Sequence, residues 1–182
     1  MDCTSRDVEV KDYVESASRD IAGLRIGLAP ELFPGGVEAE VRERVEQGIE
    51  VLRGLGAEVK EVSLPNARYA NQAYVLVSAA EASSNLARYD GVHFGHRSKD
   101  AVELDELYKS SRAEGFGPEV KRRIMIGTFV LSSGYYDAFY LKALRVRKLI
   151  QQDFERALGE VDAVICPTSP ITAFPIGERM DD

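Results

Sequence analysis

The sequence predicts an α/β fold that is rich in helices. Two short segments with strand periodicity flank an amphipathic helix within roughly 40 residues, an arrangement typical of a βαβ unit. A third apolar segment, Val161–Cys166, lies near the C-terminal end, and most of the chain between these regions has helical spacing. Because βαβ units join parallel strands by right-handed crossovers, we expect parallel pairing and helices packed over the sheet.

The first βαβ unit is defined by its hydrophobic pattern and by its turn residues. Leu24–Leu28 alternates apolar and polar residues, which indicates a strand. From Val37 to Leu55 the apolar residues recur at helical spacing, and Gly54 and Gly56 favour a stop at that point. Glu58–Leu64 predicts the second strand, and the proline that follows ends it.

The remaining elements are mostly helical and are separated by glycine-containing loops. Pro118 suits the first turn of a helix, where its missing N–H has no intrahelical partner. The predicted elements are a short helix before Ile21, a helix from Ala67 to about Arg88, a loop over Asp90–Ser98, a helix near Val102–Arg112, a helix from Pro118, a long amphipathic helix after Gly134 that ends at Gly159, and a short buried strand at Val161–Cys166.

Composition and charge narrow the class of protein. The formal net charge is -7 and the pI is about 5.0, which argues against unaided binding to nucleic acid or to an anionic membrane. No apolar run approaches the ~20 residues of a membrane span, and the first residues do not resemble a signal peptide. Cys3 and Cys166 lie far apart in sequence, as in a reduced chain, so we expect a cytoplasmic protein.

Common catalytic and metal-binding patterns are missing. His93 and His96 have no third ligand at a recognisable spacing, so no metal site is predicted. Ser83-Ser84 lacks the strand–turn–helix context of a nucleophile elbow and is interpreted as a packing element. Cys166, in an apolar segment, is interpreted as a small core residue rather than a reactive thiol.

One stretch, EVKRRIMIGTFVLSSGYYDAFY, places adjacent arginines at the start of a predicted helix. Arg122 and Arg123 differ by about 100° of rotation, so we expect one to face solvent and the other to turn inward. A partly buried guanidinium needs a partner, and its fork geometry suits a carboxylate. That carboxylate belongs either to an Asp or Glu of the protein or to a ligand, and the spacing leaves both alternatives open.

Several motifs resemble one known family. LRGLGAEVKEVSLP, EASSNLARYDGVHFG, SRAEGFGPEVKRRIMIGTFVLSSGYYDAFY and VDAVICPTSPITAFPIGE are similar to the amidase-signature family, and within it to the A subunits of glutamyl-tRNA(Gln) amidotransferase. The similarity covers essentially the whole chain. It implies that residues 1–182 form a single lobe, a portion of the amidase domain, whose strands belong to the larger mixed β-sheet of that fold.

The resemblance implies an enzyme subunit that hydrolyses the side-chain amide of glutamine. The ammonia passes to a partner subunit, which converts glutamyl-tRNA(Gln) to glutaminyl-tRNA(Gln). The family's Lys-Ser-Ser catalytic triad and its Gly/Ser-rich loop are not in this sequence, so the chain alone is predicted to be inactive. No cofactor is expected in this subunit, ATP and Mg are expected on the partner subunit, and tRNA is expected to be contacted only through that partner.

Two substrate contacts of the family correspond to residues of this sequence. The tyrosine that precedes EASSN corresponds to Tyr74, and the arginine of KRRI that grips the α-carboxylate of glutamine corresponds to Arg123. Arg122 is then the solvated or structurally paired neighbour. Packing is an equally good explanation for Tyr74.

Other functions remain open. The chain is alternatively a non-enzymatic amino-acid-binding or interaction module, or a fragment of an amidase that acts on a different amide. Its end at Met180–Asp182 without a closing element favours a piece of a larger protein. An apolar face exposed in such a piece predicts self-association.

Overall fold

The computed structural model describes residues 5–179, which divide into two compact units. The first unit extends to Val62 and resumes at Leu158, and the second comprises Ser63–Ala157. Cys3 and the terminal residues 180–182, on which two of the expectations above rest, lie outside the described range. That residues 1–182 form a single lobe of an amidase domain stays a prediction.

Six α-helices and three strands make up most of the described chain. In the first unit they are α1 (Tyr13–Ala17), β1 (Arg25–Leu28), α2 (Ala39–Gly54), β2 (Glu58–Glu61) and β3 (Ala163–Ile165). In the second unit they are α3 (Ala70–Asn85), α4 (Leu104–Gly115), α5 (Pro118–Val130) and α6 (Lys142–Glu160), the last of which ends in the first unit. Short 3₁₀ turns at Pro30–Leu32, Ala67–Tyr69 and Leu86–Arg88 and a π-helical turn at Tyr136–Leu141 complete the set.

The three strands form a parallel sheet in the order β2-β1-β3. Ile26, on the central strand, pairs with Val59 on one side and with Ala163 on the other. The chain leaves α2 through Gly56, whose φ of +89° is readily adopted only by glycine. The α/β, helix-rich prediction and the parallel βαβ unit are therefore confirmed.

A bidentate ion pair joins β1 to the start of β3. Arg25 Nε and Nη2 donate to the two carboxylate oxygens of Asp162 at 3.0 and 2.6 Å, and the backbone N–H of Arg25 donates to the same carboxylate at 2.9 Å. The backbone N–H of Asp162 returns a bond to the carbonyl of Arg25 at 2.8 Å. The hydrogen bonds that Arg25 donates, first from its side chain and then from its backbone N–H, lower the pKa of Asp162 to about 2.

In the second unit, α3 and α5 pack closely through small residues. Ala79 and Ala80 on α3 are almost fully buried, as is Val130 on α5. A Cβ placed on Gly127 of α5 would lie 1.9 Å from the carbonyl oxygen of Ala79. Because that oxygen belongs to the backbone, only glycine permits this separation of the two helices.

A buried carboxylate ties α6 to the turn that precedes α3. Asp153 accepts the backbone N–H and the side-chain amide of Asn66 at 2.8 and 3.0 Å, and Nη2 of Arg156 at 2.7 Å. Burial alone would raise the pKa of Asp153, but these hydrogen bonds outweigh it and the pKa ends below its ordinary value. The start of α3 is thereby fixed to α6.

Three predicted features differ in the structure. β2 ends at Glu61 rather than at Leu64, although Val62 still donates a backbone hydrogen bond to Leu28. The predicted single helix after Gly134 begins with a π-helical turn, which 3.6-residue periodicity does not report. The prediction that Cys166 is a core residue in a buried strand is wrong: β3 is a sheet-edge strand with partly exposed residues, and Cys166 follows it as an exposed free thiol.

Among residues 5–179, no helix combines the length and apolar composition that crossing a bilayer requires.

Candidate functional site

The contact between α3 and α5 brings Tyr74 and Arg123, the two residues singled out from the sequence, together. Tyr74 lies in the second turn of α3 and Arg123 in the second turn of α5. Both side chains line the same small cavity, and the neighbouring Arg123 guanidinium, together with Ser78, lowers the pKa of the Tyr74 hydroxyl. The close helix approach at Gly127, one turn beyond Arg123, sets this geometry.

Glu119, in the first turn of α5, bridges the two arginines. Arg122 donates to both of its carboxylate oxygens, from Nε at 2.7 Å and from Nη2 at 2.9 Å. Arg123 donates to one of them, from Nε at 2.8 Å. Hydrogen bonds from Arg122 and then Arg123 lower the pKa of Glu119 to about 2, and the same pairs raise the pKa values of both arginines.

The two arginines differ in environment as predicted. The side chain of Arg122 is 64% exposed, whereas that of Arg123 is 43% exposed and lies against α3. The protein itself supplies one carboxylate partner, Glu119, so the alternative of an internal acid is observed for both arginines. Arg122 and Arg123 share the single carboxylate of Glu119. The cluster of these three residues therefore keeps one net positive charge.

Two cavities share Tyr74 and Ser78 in their walls. The smaller, of about 50 Å³, lies between α3 and α5, and Arg122, Arg123 and Ile126 contribute to its wall. The larger, of about 410 Å³, lies between α3 and α6 and includes Glu81 and Arg147. The smaller has room for one or two water-sized groups, and the larger is within the usual range for small-molecule sites.

Cavity volume alone does not identify this site. A cavity of about 450 Å³ lies at the carboxyl ends of β1 and β2, and one of about 500 Å³ lies between α3 and α6 beside the π-helical turn. The region around Tyr74 is distinguished by two polar groups that converge on one cavity, the hydroxyl of Tyr74 and the guanidinium of Arg123. Their proximity lowers the pKa of Tyr74 and raises that of Arg123.

The other polar side chains singled out in the sequence lie elsewhere in the second unit. His93 pairs with Asp90 at 2.7 Å, and His96 pairs with Glu114 at 2.6 Å, so the histidines have separate carboxylate partners. Within the described part of the chain, no three His, Cys, Asp or Glu side chains gather as potential metal ligands. The hydroxyl of Ser83 meets that of Thr128 at 2.9 Å across the helix contact, in agreement with a packing role.

Sequence reasoning missed Glu119 and Ser78 as members of the site. Glu119 precedes the arginines by three and four residues, the spacing at which helical side chains meet. Ser78 follows Tyr74 by four residues on the same helix face. Both positions carry a signal that a search for i,i+3 and i,i+4 partners of the candidate residues would have found.

Comparison with known proteins gives a consistent result. The glutamyl-tRNA(Gln) amidotransferase A subunits of Clostridium botulinum strain Langeland and of Halorhodospira halophila are 56% and 58% identical to this chain over 181 residues. Both alignments cover 100% of this chain but 37% of the relative, so the chain spans little more than a third of the length of these proteins.

The structural comparison agrees with the sequence comparison. The crystal structure of the glutamyl-tRNA(Gln) amidotransferase A subunit from Thermotoga maritima matches with a TM-score of 0.60 at 36% identity, over 89% of this chain and 30% of that one. A crystal structure described as an amidase matches with a TM-score of 0.63 at 25% identity, over 87% of this chain and 31% of that one. The family model described as Amidase matches residues 1–182. The chain therefore belongs to the amidase family.

Proposed function

We propose that this chain is part of a glutamine-hydrolysing subunit of a glutamyl-tRNA(Gln) amidotransferase, in which it supplies a portion of the glutamine site. Relatives of that name are 56% and 58% identical over the whole chain, which supports the assignment. The released ammonia would serve a partner subunit that amidates glutamyl-tRNA(Gln). On the same resemblance, ATP and Mg belong to that partner, and tRNA reaches this subunit only through it.

The observation that carries the proposal is that Arg123 and Tyr74 converge on the small cavity between α3 and α5. Glu119 occupies only Nε of Arg123, and a guanidinium has five N–H donors, so the terminal nitrogens retain hydrogen-bonding capacity. The net positive charge of the cluster and the neighbouring hydroxyl suit an α-carboxylate. A ligand carboxylate would complete the charge balance of the site.

The two cavities that share Tyr74 and Ser78 agree in size with an amino-acid ligand. The smaller holds a group the size of a carboxylate and not a whole glutamine. The larger, which shares Tyr74 and Ser78 with it, has room for the remainder of a small molecule. In this proposal the chain recognises the acid end of glutamine, while the nucleophile that cleaves the amide lies in another part of the polypeptide.

Replacing Arg123 tests the proposal in the complete amidotransferase. The Arg123→Ala variant should raise KM for glutamine by about 10- to 100-fold, the range expected when a charge-assisted hydrogen bond to a carboxylate is lost. The change should fall mainly on KM because the contact lies away from the reacting amide. Steady-state glutaminase kinetics should be measured with glutamine and with its α-methyl ester, which keeps the amide but lacks the negative charge.

A matched control uses the neighbouring cation. Lys121 lies on the same helix turn but donates to the carbonyl of Ala113 at 2.9 Å and does not line the small cavity. Lys121→Ala should keep the preference for glutamine over its ester, whereas Arg123→Ala should lose it. An Arg123→Ala enzyme that still prefers glutamine to the ester as strongly as the parent does would contradict the proposal.

A further inference from the structure

We infer that Arg122 is a positioning residue, which prevents Glu119 from neutralising Arg123 and so keeps Arg123 available to a ligand carboxylate. This inference rests on the proposed function, because it concerns the same carboxylate-binding guanidinium. It assigns to Arg122 a role that an exposed charge on a helix surface does not ordinarily have.

The unequal sharing of Glu119 is the first observation. Glu119 receives two hydrogen bonds from Arg122, in the fork-to-carboxylate arrangement, and a single bond from Arg123. A bidentate pair fixes both the position and the orientation of a carboxylate. Arg122 therefore holds Glu119 in an orientation that engages Arg123 through Nε alone.

The charge balance is the second observation. Arg122 and Arg123 contribute two positive charges and Glu119 contributes one negative charge, which leaves one positive charge for a ligand. Without Arg122 the pair of Glu119 and Arg123 would be neutral. Glu119 would also be free to turn its second oxygen toward Arg123, from which it is separated by one helical turn.

Exposure distinguishes the two roles. Arg122 is the more exposed of the two, at 64% against 43%, and Arg123 is the one whose pKa is also affected by the neighbouring Tyr74 of α3. A ligand at Tyr74 would meet Arg123. Arg122 also contributes to the wall of the small cavity, but its bidentate bond to Glu119 assigns it a role through Glu119. While Arg122 holds Glu119, Glu119 does not compete with the ligand for Arg123. It would compete once Arg122 is removed.

The test is a rescue experiment in the complete amidotransferase. Arg122→Ala should raise KM for glutamine by about fivefold with kcat nearly unchanged, because the exposed pair between Glu119 and Arg123 must then be broken before the substrate carboxylate binds. The double variant E119Q/R122A should return KM to within about twofold of the parent value. Restoration by a second substitution is not expected if Arg122 only supports the fold.

The outcomes separate this inference from the proposed function. If Arg123→Ala weakens glutamine binding but Arg122→Ala leaves KM unchanged, or if E119Q/R122A fails to restore it, Arg122 has no positioning role and the proposed function still stands. If Arg123→Ala itself has no effect on glutamine, the proposed function fails first. Circular dichroism of each variant should match the parent, since the ion pairs of Glu119 are local to α5 and partly exposed, and such pairs contribute little to stability.

Discussion

The ion pairs of Arg122 and Arg123 with Glu119 are local interactions within the first two turns of α5. Glu119 also lies near the helix N-terminus, where a negative charge is favourable. Surface ion pairs of this kind contribute little to global stability. Their importance here is electrostatic, because they set the net charge that a ligand of the Tyr74 region would encounter.

We predict that Glu119 titrates at about pH 2 in the folded chain, below its ordinary value of 4.5. Since the folded-state pKa is the lower one, the stabilisation of the start of α5 is complete above pH 4.5 and is lost as the pH falls toward 2. NMR of the side-chain carboxyl carbon measures this directly. Arg122→Ala should move the midpoint upward, and a midpoint already near 4.5 in the parent chain would show that the bridge does not persist in solution.

The packing of α5 on α3 decides where the candidate site lies. Ala79, Ala80 and Gly127 form a contact of small residues that places Arg123 beside Tyr74. The buried hydrogen bonds of Asp153 with Asn66 fix the start of α3 in the same unit. The site is therefore carried by two helices with defined supports rather than by a loop.

Gly127→Ala should destabilise the chain by about 3 kcal/mol, because the new methyl group would overlap the backbone of α3 and force the helices apart. Chemical denaturation followed by circular dichroism measures the loss. Gly48→Ala on α2 is the matched control: a Cβ at that exposed helical position meets no atom within 4 Å, so this variant should be stabilised by up to about 1 kcal/mol. Equal stability of the Gly127→Ala variant and the parent would contradict the close helix contact.

At the scale of the whole molecule, our proposal places glutamine recognition and amide cleavage in different segments of the polypeptide. The chain spans 37% of the length of the amidotransferase A subunits that it matches. It contains the contact between Tyr74 and Arg123 and lacks a Gly/Ser-rich stretch of the kind that holds the family's catalytic serines. In our proposal this chain therefore binds glutamine, and another segment of the polypeptide cleaves the amide bond.

The 182-residue chain alone should release no ammonia from glutamine above the background rate, because the proposed nucleophile lies outside it. A coupled ammonia assay with a complete amidotransferase as the positive control measures this. Turnover that persists through purification and disappears in the Arg123→Ala chain would show that these residues contain a nucleophile, and would overturn the division between recognition and chemistry.

Much of the fold was predictable because the residues that mark the ends of helices and strands act locally in the sequence. The helix α2 ends before Gly56, because glycine readily adopts the positive φ that the chain needs there. The helix α5 begins at Pro118, whose fixed φ suits a first turn. The environment of Cys166 was not predictable, since an apolar segment indicates a strand but not whether that strand lies at the edge of the sheet. Likewise, the π-helical turn before α6 has no periodic signature.

The sequence by itself determined the βαβ unit, the order of the helices and the resemblance on which Tyr74 and Arg123 were selected, because all of these depend on residue type and spacing along the chain. Only the tertiary structure decided that these two side chains meet, that Glu119 divides its carboxylate unequally between two arginines, and that Gly127 permits the approach of α5 to α3. Contacts between helices depend on interatomic distances that spacing within either helix does not encode.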